Sequence, residues 1–237
     1  MGKRLDSFFV AILAICALSG ASGQSAPTGT IRGSVTLGRH LAAHRMKFSL
    51  YADANRVARP EPPSMTDELQ NVVVYLERVP EGVRSPSAPR GPFRMEQEGL
   101  AFTPHVLAIE KGTEVEFPNR DMLFHNVFSL SRPATFDLGR FPQNASKSLK
   151  FEKPGIVKVF CHIHSDMSGV IMVLDNSFFT SPGRDGRFAI DGVPPGEFRV
   201  VAWHERARMS VKRVRVEAGK PSVLDFEIPL SEDENGG

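Results

Sequence analysis

The chain has two cysteines, Cys16 and Cys161. Cys161 opens the segment Cys161-His162-Ile163-His164-Ser165-Asp166-Met167, in which a thiol, an imidazole and a thioether follow one another at intervals of three residues. Thiolate, imidazole nitrogen and thioether are the donors a copper electron-transfer centre uses, because soft sulfur favours Cu(I) and imidazole suits both oxidation states. A second imidazole has to arrive from a distant strand. His125 is the best placed, since it opens the strand-like run His125-Asn126-Val127-Phe128 after the stretch Asn119 to Phe124. Two imidazoles and a thiolate, with a weak axial thioether, form the trigonal set expected of a blue-copper centre. The residues singled out are therefore His125, Cys161, His164 and Met167, around one copper ion.

Each of these residues alone is weak evidence. Cys-x-x-His also serves zinc, a single methionine usually fills core, and a histidine at a strand start is usually a satisfied polar residue. Their conjunction favours copper. Zinc is the main metallic competitor, and a lone thiolate with a thioether suits it less well. His162 adjoins Cys161 on a strand, so its side chain should point to the opposite side.

The N-terminal stretch gives the cysteine count its meaning. Lys3 and Arg4 precede an unbroken apolar run of eleven residues, Phe8 to Leu18, and then the small residues Ala21-Ser22-Gly23. This is the layout of a secretory signal over residues 1–23, and the run is too short to span a bilayer. Cys16 is one more apolar residue of that run, because Ile15 is too bulky for a lipoprotein signal. Removal of the segment leaves Cys161 as the sole cysteine and excludes an intramolecular disulfide. A lone thiol in an oxidising compartment is expected to be buried, reactive or metal-bound. A periplasmic or secreted location follows. Loss of Lys3, Arg4 and Asp6 lowers the formal charge from +2 to +1. No basic patch marks a nucleic-acid partner, and no later stretch is long enough for a membrane span.

The rest of the chain must position these groups, and it reads as strands. Thr30 to Val35 and Lys47 to Ala52 alternate, while Val72 to Leu76 is a continuous β-branched and aromatic run suited to a buried strand. Ser64 to Glu68 can cap one helical turn. Pro80 to Pro92, with four prolines and two glycines, reads as a linker or long loop. Strands are then expected at 106–109, 115–117, 125–130, 148–151, 156–161 and 170–174. After Asp175 further strands are expected at 187–190, 197–203, 211–216 and 222–228, and 231–237 is an acidic flexible tail. Short strands at this spacing indicate an all-β chain built from sandwiches.

Two resemblances follow from particular stretches. Leu100 to Pro104, Gly112 to Asn119, His125-Asn126-Val127 and Lys158 to His164 together make residues 93–175 resemble a cupredoxin of the plastocyanin and pseudoazurin type. That resemblance implies a Greek-key β-sandwich, His125, Cys161 and His164 as equatorial ligands, and Met167 as axial ligand. It also implies that Asn126 ties the first histidine strand to the cysteine loop by hydrogen bonds. Met167 follows His164 by three residues, closer than in plastocyanin-like loops, which leaves the axial position to a tilted thioether or to water. Asp185 to Ile190, followed by Val193 to Phe198, is similar to the carboxypeptidase regulatory-like, transthyretin-like sandwich. Such a domain would comprise 28–80 and 176–230, split by insertion of the cupredoxin, and it requires Ile31 to Val35 to pair with strands after Asp175. Tandem order is the alternative.

The function these readings imply is single-electron transfer by an exported protein, with a redox partner protein still to be identified. A copper carrier or sensor without redox turnover, or a structural β-sandwich, is the alternative. No nucleophile–base pair, metzincin motif or second copper cluster stands in the sequence, so an enzyme is not expected. His204 and Glu205 are read as rim residues of a surface strand.

Overall fold

A computed structural model describes residues 27–38 and 65–229. The expected signal segment 1–23, the expected strand at 47–52 and the expected tail 231–237 lie outside those residues. The described chain is all-β, with one short helix. In order, the elements are β1 (Gly29–Leu37), α1 (Met65–Gln70), β2 (Val73–Leu76), β3 (Phe93–Arg94), β4 (Glu96–Glu98), β5 (Ala101–Thr103) and β6 (Val106–Glu110). Then come β7 (Thr113–Pro118), β8 (His125–Ser131), β9 (Ala134–Phe141), β10 (Ser146–Phe151), β11 (Gly155–Phe160) and β12 (Ser168–Leu174). The last are β13 (Phe179–Thr180), β14 (Arg187–Val193), β15 (Gly196–Trp203), β16 (Ser210–Val216), β17 (Pro221–Val223) and β18 (Phe226–Ile228).

The strands form two sandwiches. One pairs the sheet β14-β1-β17, with β18 beside the end of β1, against the sheet β13-β2-β15-β16. Its core holds Ile31, Val35, Val74, Leu76, Ile190 and Val200 among others. β1 runs antiparallel to β14 and parallel to β17 and β18, so its partners all lie after Asp175. The Ser222–Ile228 strand expected from the sequence is broken at Leu224 and Asp225. There the chain crosses Gly33 so closely that a Cβ on Gly33 would sit 1.9 Å from the Leu224 carbonyl oxygen.

The other sandwich sets the five-stranded sheet β6-β12-β11-β8-β9 against β10-β7-β3, with the hairpin β4-β5 alongside. Its core includes Phe117, Val127, Val157, Cys161, Met167 and Ile171. β9 carries Asp137 and Gly139, residues that read as a turn, and forms an edge strand whose exposed and half-buried positions give little hydrophobic signal.

A third apolar cluster joins the two sandwiches. Along β12, Ile171 and Val173 face the sandwich core while Val170, Met172 and Leu174 face the junction. Along β2, Val74 and Leu76 face one core, and Val73 with Tyr75 packs against the junction cluster beside Phe179 and Trp203. These strands are buried on both faces, which is why their sequences are unbroken apolar runs rather than alternations. The 80–92 segment forms no regular element, yet it is tied down. The Ser85 N–H donates to Ser177 Oγ at 2.9 Å, and Ser85 Oγ donates to the Asp191 carbonyl at 3.0 Å.

Candidate metal centre

β8 and β11 are antiparallel neighbours in register at Phe128 and Phe160. The start of β8 and the end of β11 therefore meet at one end of the sheet. His125 is the first residue of β8, Cys161 follows the last residue of β11, and His164 lies in the loop before β12. The Nδ1 atoms of His125 and His164 are 3.1 Å apart, and Cys161 Sγ lies 3.9 Å from the first and 3.7 Å from the second. His125 and Cys161 are buried and His164 is partly exposed. Among the described residues, this is the cluster of three such donor side chains that can hold a metal ion.

The loop is closed by its own backbone. The Met167 N–H donates to the His164 carbonyl at 3.1 Å, and the Cys161 N–H donates to the Met167 carbonyl at 3.2 Å. Met167 is buried in the same apolar cluster as Cys161. Asn126 Oδ1 accepts the His162 N–H at 3.2 Å, and Asn126 Nδ2 donates to Asp137 Oδ1 at 2.6 Å. His162 itself turns away from the cluster and stacks on Phe128, with ring centroids 3.7 Å apart.

The structure adds Asp121, which the sequence reading left out. Its Oδ2 lies 2.7 Å from His125 Nε2. The same carboxylate accepts N–H bonds from Gly99 at 2.7 Å and Leu100 at 3.0 Å. Gly99 and Leu100 are the two turn residues between β4 and β5, and both have positive φ, 63° and 60°. A two-residue hairpin turn of this hand is favoured by strand twist, but leucine pays steric strain there. Asp121 bonds both turn amides and the histidine at once. Asn119 shapes the same loop, since its Nδ2 donates to the carbonyls of Leu123 and Phe141 and its Oδ1 accepts the Asp121 N–H. No local spacing rule flags an aspartate four residues ahead of a strand histidine; only the loop geometry brings it there.

The Asp121 contact settles which ring nitrogen of His125 donates. A carboxylate only accepts, so Nε2 of His125 carries the proton and Nδ1 is left to face the sulfur. Burial pushes the Cys161 thiol up, but the His125 hydrogen bond and the N–H groups of Asn126, Ile163 and His164 outweigh it and bring it down to about 6. Burial likewise lowers His125, and the bonds to Cys161 and Asp121 outweigh it and raise it. Both shifts favour a thiolate paired with a protonated His125 ring when no metal is bound, and the thiolate is the metal-binding form of cysteine.

The rim of the site is apolar. Met122, Leu123 and Phe124 lead into His125 and Ile163 precedes His164, and all four are exposed. His204 and Glu205 are not rim residues of a surface strand. His204 is 2% exposed, with Nε2 at 3.3 Å from Glu68 Oε2 and Nδ1 accepting the Arg206 N–H at 3.2 Å. Glu205 bonds His105 of the other sandwich at 3.0 Å. Sequence alone gave neither residue a partner, because both partners come from segments distant in the chain. No helix among the described residues is long and apolar enough to cross a membrane.

No protein-family model and no curated protein matches the chain. Among solved structures, the chain is similar to a purple cupredoxin from Nitrosopumilus maritimus, at 22% identity over 34% of this chain and 98% of that one, with a TM-score of 0.32. It is also similar to a Cu-containing nitrite reductase from Thermus scotoductus, at 28% identity over 40% of this chain and 25% of the reductase, with a TM-score of 0.34. A Cu(I) form of a mutant amicyanin matches at 19% identity over 38% of this chain and 90% of that one, with a TM-score of 0.34.

Proposed function

We propose that His125, Cys161 and His164 bind one copper ion and that the chain is an exported cupredoxin-like protein carrying single electrons. The observation that carries this reading is the convergence of the Cys161 sulfur and the Nδ1 atoms of His125 and His164 within 3.1–3.9 Å of one another. Metal bonds of about 2.0 Å to nitrogen and 2.3 Å to sulfur, in a trigonal plane, separate such donors by about 3.5–3.8 Å. The donor set therefore fits an ion with only tenths of an ångström of adjustment. Its softness favours copper over zinc. Met167 is the proposed axial group, supported by its burial with Cys161.

Bound copper would supply the one-electron couple. The chain's own residues do the rest. Asp121 holds the His125 ring so that Nδ1 faces inward. Asn126 ties β8 to the amide after Cys161, fixing the sulfur relative to that ring. Burial of His125 and Cys161 excludes water, and the apolar rim around His164 suits docking of a redox partner protein. The flanking sandwich is proposed to be the carboxypeptidase regulatory-like domain, with the cupredoxin unit inserted at 93–175. The pairing of β1 with β14, β17 and β18 supports that order.

The test is spectroscopic. Purified protein given Cu(II) is expected to develop an intense visible thiolate-to-copper charge-transfer band, and Cys161→Ser to lose it. Equal copper binding by Cys161→Ser, with no such band in the parent, overturns the reading. A reversible reduction potential then separates an electron carrier from a passive copper binder.

A further inference from the structure

At the junction between the sandwiches Glu205 makes polar contacts that lead to the ligand loop. His105 lies between β5 and β6. Its Nδ1 is 3.1 Å from the Ser168 carbonyl, and its Nε2 is 3.0 Å from Glu205 Oε2. Both partners are acceptors, so the ring can only donate to them. The other Glu205 oxygen is 3.5 Å from Lys158 Nζ on β11, the strand that delivers Cys161. Ser168 directly follows Met167 and opens β12. The His105 carbonyl also accepts the Val170 N–H at 2.8 Å. Between these bonds sits Gly169, where a Cβ would lie 3.1 Å from Phe102 Cβ and 3.2 Å from the His105 carbonyl oxygen. The exit of the ligand loop is thus pinned on both sides, and one of the pins is held from the other sandwich.

We propose that Glu205 and His105 are positioning residues of the metal centre, through which the flanking sandwich holds the Cys161–Met167 loop in its ligating shape. The inference rests on reading His125, Cys161 and His164 as a copper site. It assigns the second sandwich a part in that site, although it contributes no ligand. The apolar junction of Val73, Trp203, Val170 and Met172 supplies the adhesion. The Glu205–His105–Ser168 chain transmits it to the loop, because a rigid acceptor at Ser168 limits how far Met167 and its bond to the Cys161 amide can move.

The first test needs no metal. Amide hydrogen exchange of metal-free protein is compared for the parent, Glu205→Ala and Glu205→Gln. Exchange of the Cys161 and Met167 amides is expected to quicken about tenfold in Glu205→Ala, for roughly 1.4 kcal/mol lost from local opening. Glu205→Gln, which keeps an acceptor for His105, is expected to recover most of it. Amides of the β2–β15 pairing should exchange as in the parent. The second test loads Cu(II) and compares the energy of the charge-transfer band and the rate of copper loss to a chelator. A shifted band and faster loss in Glu205→Ala, restored by Gln, are expected. Loop exchange and band both unchanged in Glu205→Ala overturn the proposal, as does equal quickening at the loop and in β2–β15, which is general loosening. A parent without the band overturns the copper reading instead, and the exchange result still decides whether Glu205 holds the loop.

Discussion

Two buried histidines in this chain have the same companion and different fates. His125 sets Nε2 against the Asp121 carboxylate at 2.7 Å, and His204 sets Nε2 against the Glu68 carboxylate at 3.3 Å. They diverge at the other nitrogen. Nδ1 of His204 accepts the Arg206 backbone N–H at 3.2 Å, so the ring is used up inside the chain. Nδ1 of His125 faces a thiolate sulfur and a second Nδ1, neither of which can satisfy its lone pair unless a proton or a cation lies between them. A buried histidine is structural when both nitrogens are spoken for, and a ligand candidate when acceptors converge on one of them.

The largest effect expected from this contrast lies at the structural histidine. Burial pushes the Glu68 carboxyl up, but bonds from His204 and Asn71 and the Arg206 guanidinium outweigh it and hold it at about 2, against 4.5 when free. A folded value below the unfolded one means that the contribution is complete above pH 4.5 and drains away as the pH falls toward 2. Its size is on the order of 3 kcal/mol. Glu68→Ala should cost about 3 kcal/mol, because it leaves buried His204 Nε2 without its carboxylate. Urea unfolding checks this: the midpoint should fall, the parent should lose the difference between pH 5 and pH 2, and copper affinity should not change. A fall in copper affinity with no fall in stability would erase the contrast.

The carboxylate beside the candidate ligand His125 should behave in the opposite way. Asp121→Ala frees the His125 ring and releases the Gly99 and Leu100 amides. Loss of such an outer contact lowers metal affinity about 10- to 100-fold, or about 1.4–2.8 kcal/mol. Chelator competition for copper measures it. Asp121→Asn, which keeps an acceptor, should lie between Ala and the parent. Unchanged affinity in both variants would show that packing alone orients His125.

The difference between these two carboxylates also marks what the sequence could tell. His125, Cys161 and His164 were legible because their chemistry is in the residue types and their meeting follows from strand order. Val72 to Leu76 was legible as a buried strand because both of its faces are apolar. Asp121, His105 and the partners of His204 were not. Asp121 reaches His125 through an irregular loop shaped by Asn119. Glu205 reaches His105, and His204 reaches Glu68, across 100 and 136 residues of chain. Such contacts have no period to read. β9 went unread because an edge strand carrying Asp137 and Gly139 resembles a turn. The candidate metal centre is therefore readable in its donor residues and hidden in the groups that aim them.

His162 supplies the smallest effect and the sharpest control. It is covalently next to Cys161 and is a chemically competent donor, yet it lies flat on Phe128 with the rings 4° from parallel. It lies past the end of β11, with its N–H on Asn126 and its ring against Phe128. Its side chain is 54% exposed, and its Nε2 is 3.8 Å from Asp137, a surface pair of little energetic weight. His162→Ala should cost about 0.5 kcal/mol of stability through the lost stack. It should leave copper affinity and the charge-transfer band as in the parent, because the bond that serves the centre is the backbone one from His162 N–H to Asn126. Chelator competition and the visible spectrum of the variant decide it. Copper affinity falling as far as in Asp121→Ala would mean that proximity to the thiolate in sequence, and not the direction of the free lone pair, selects the ligands.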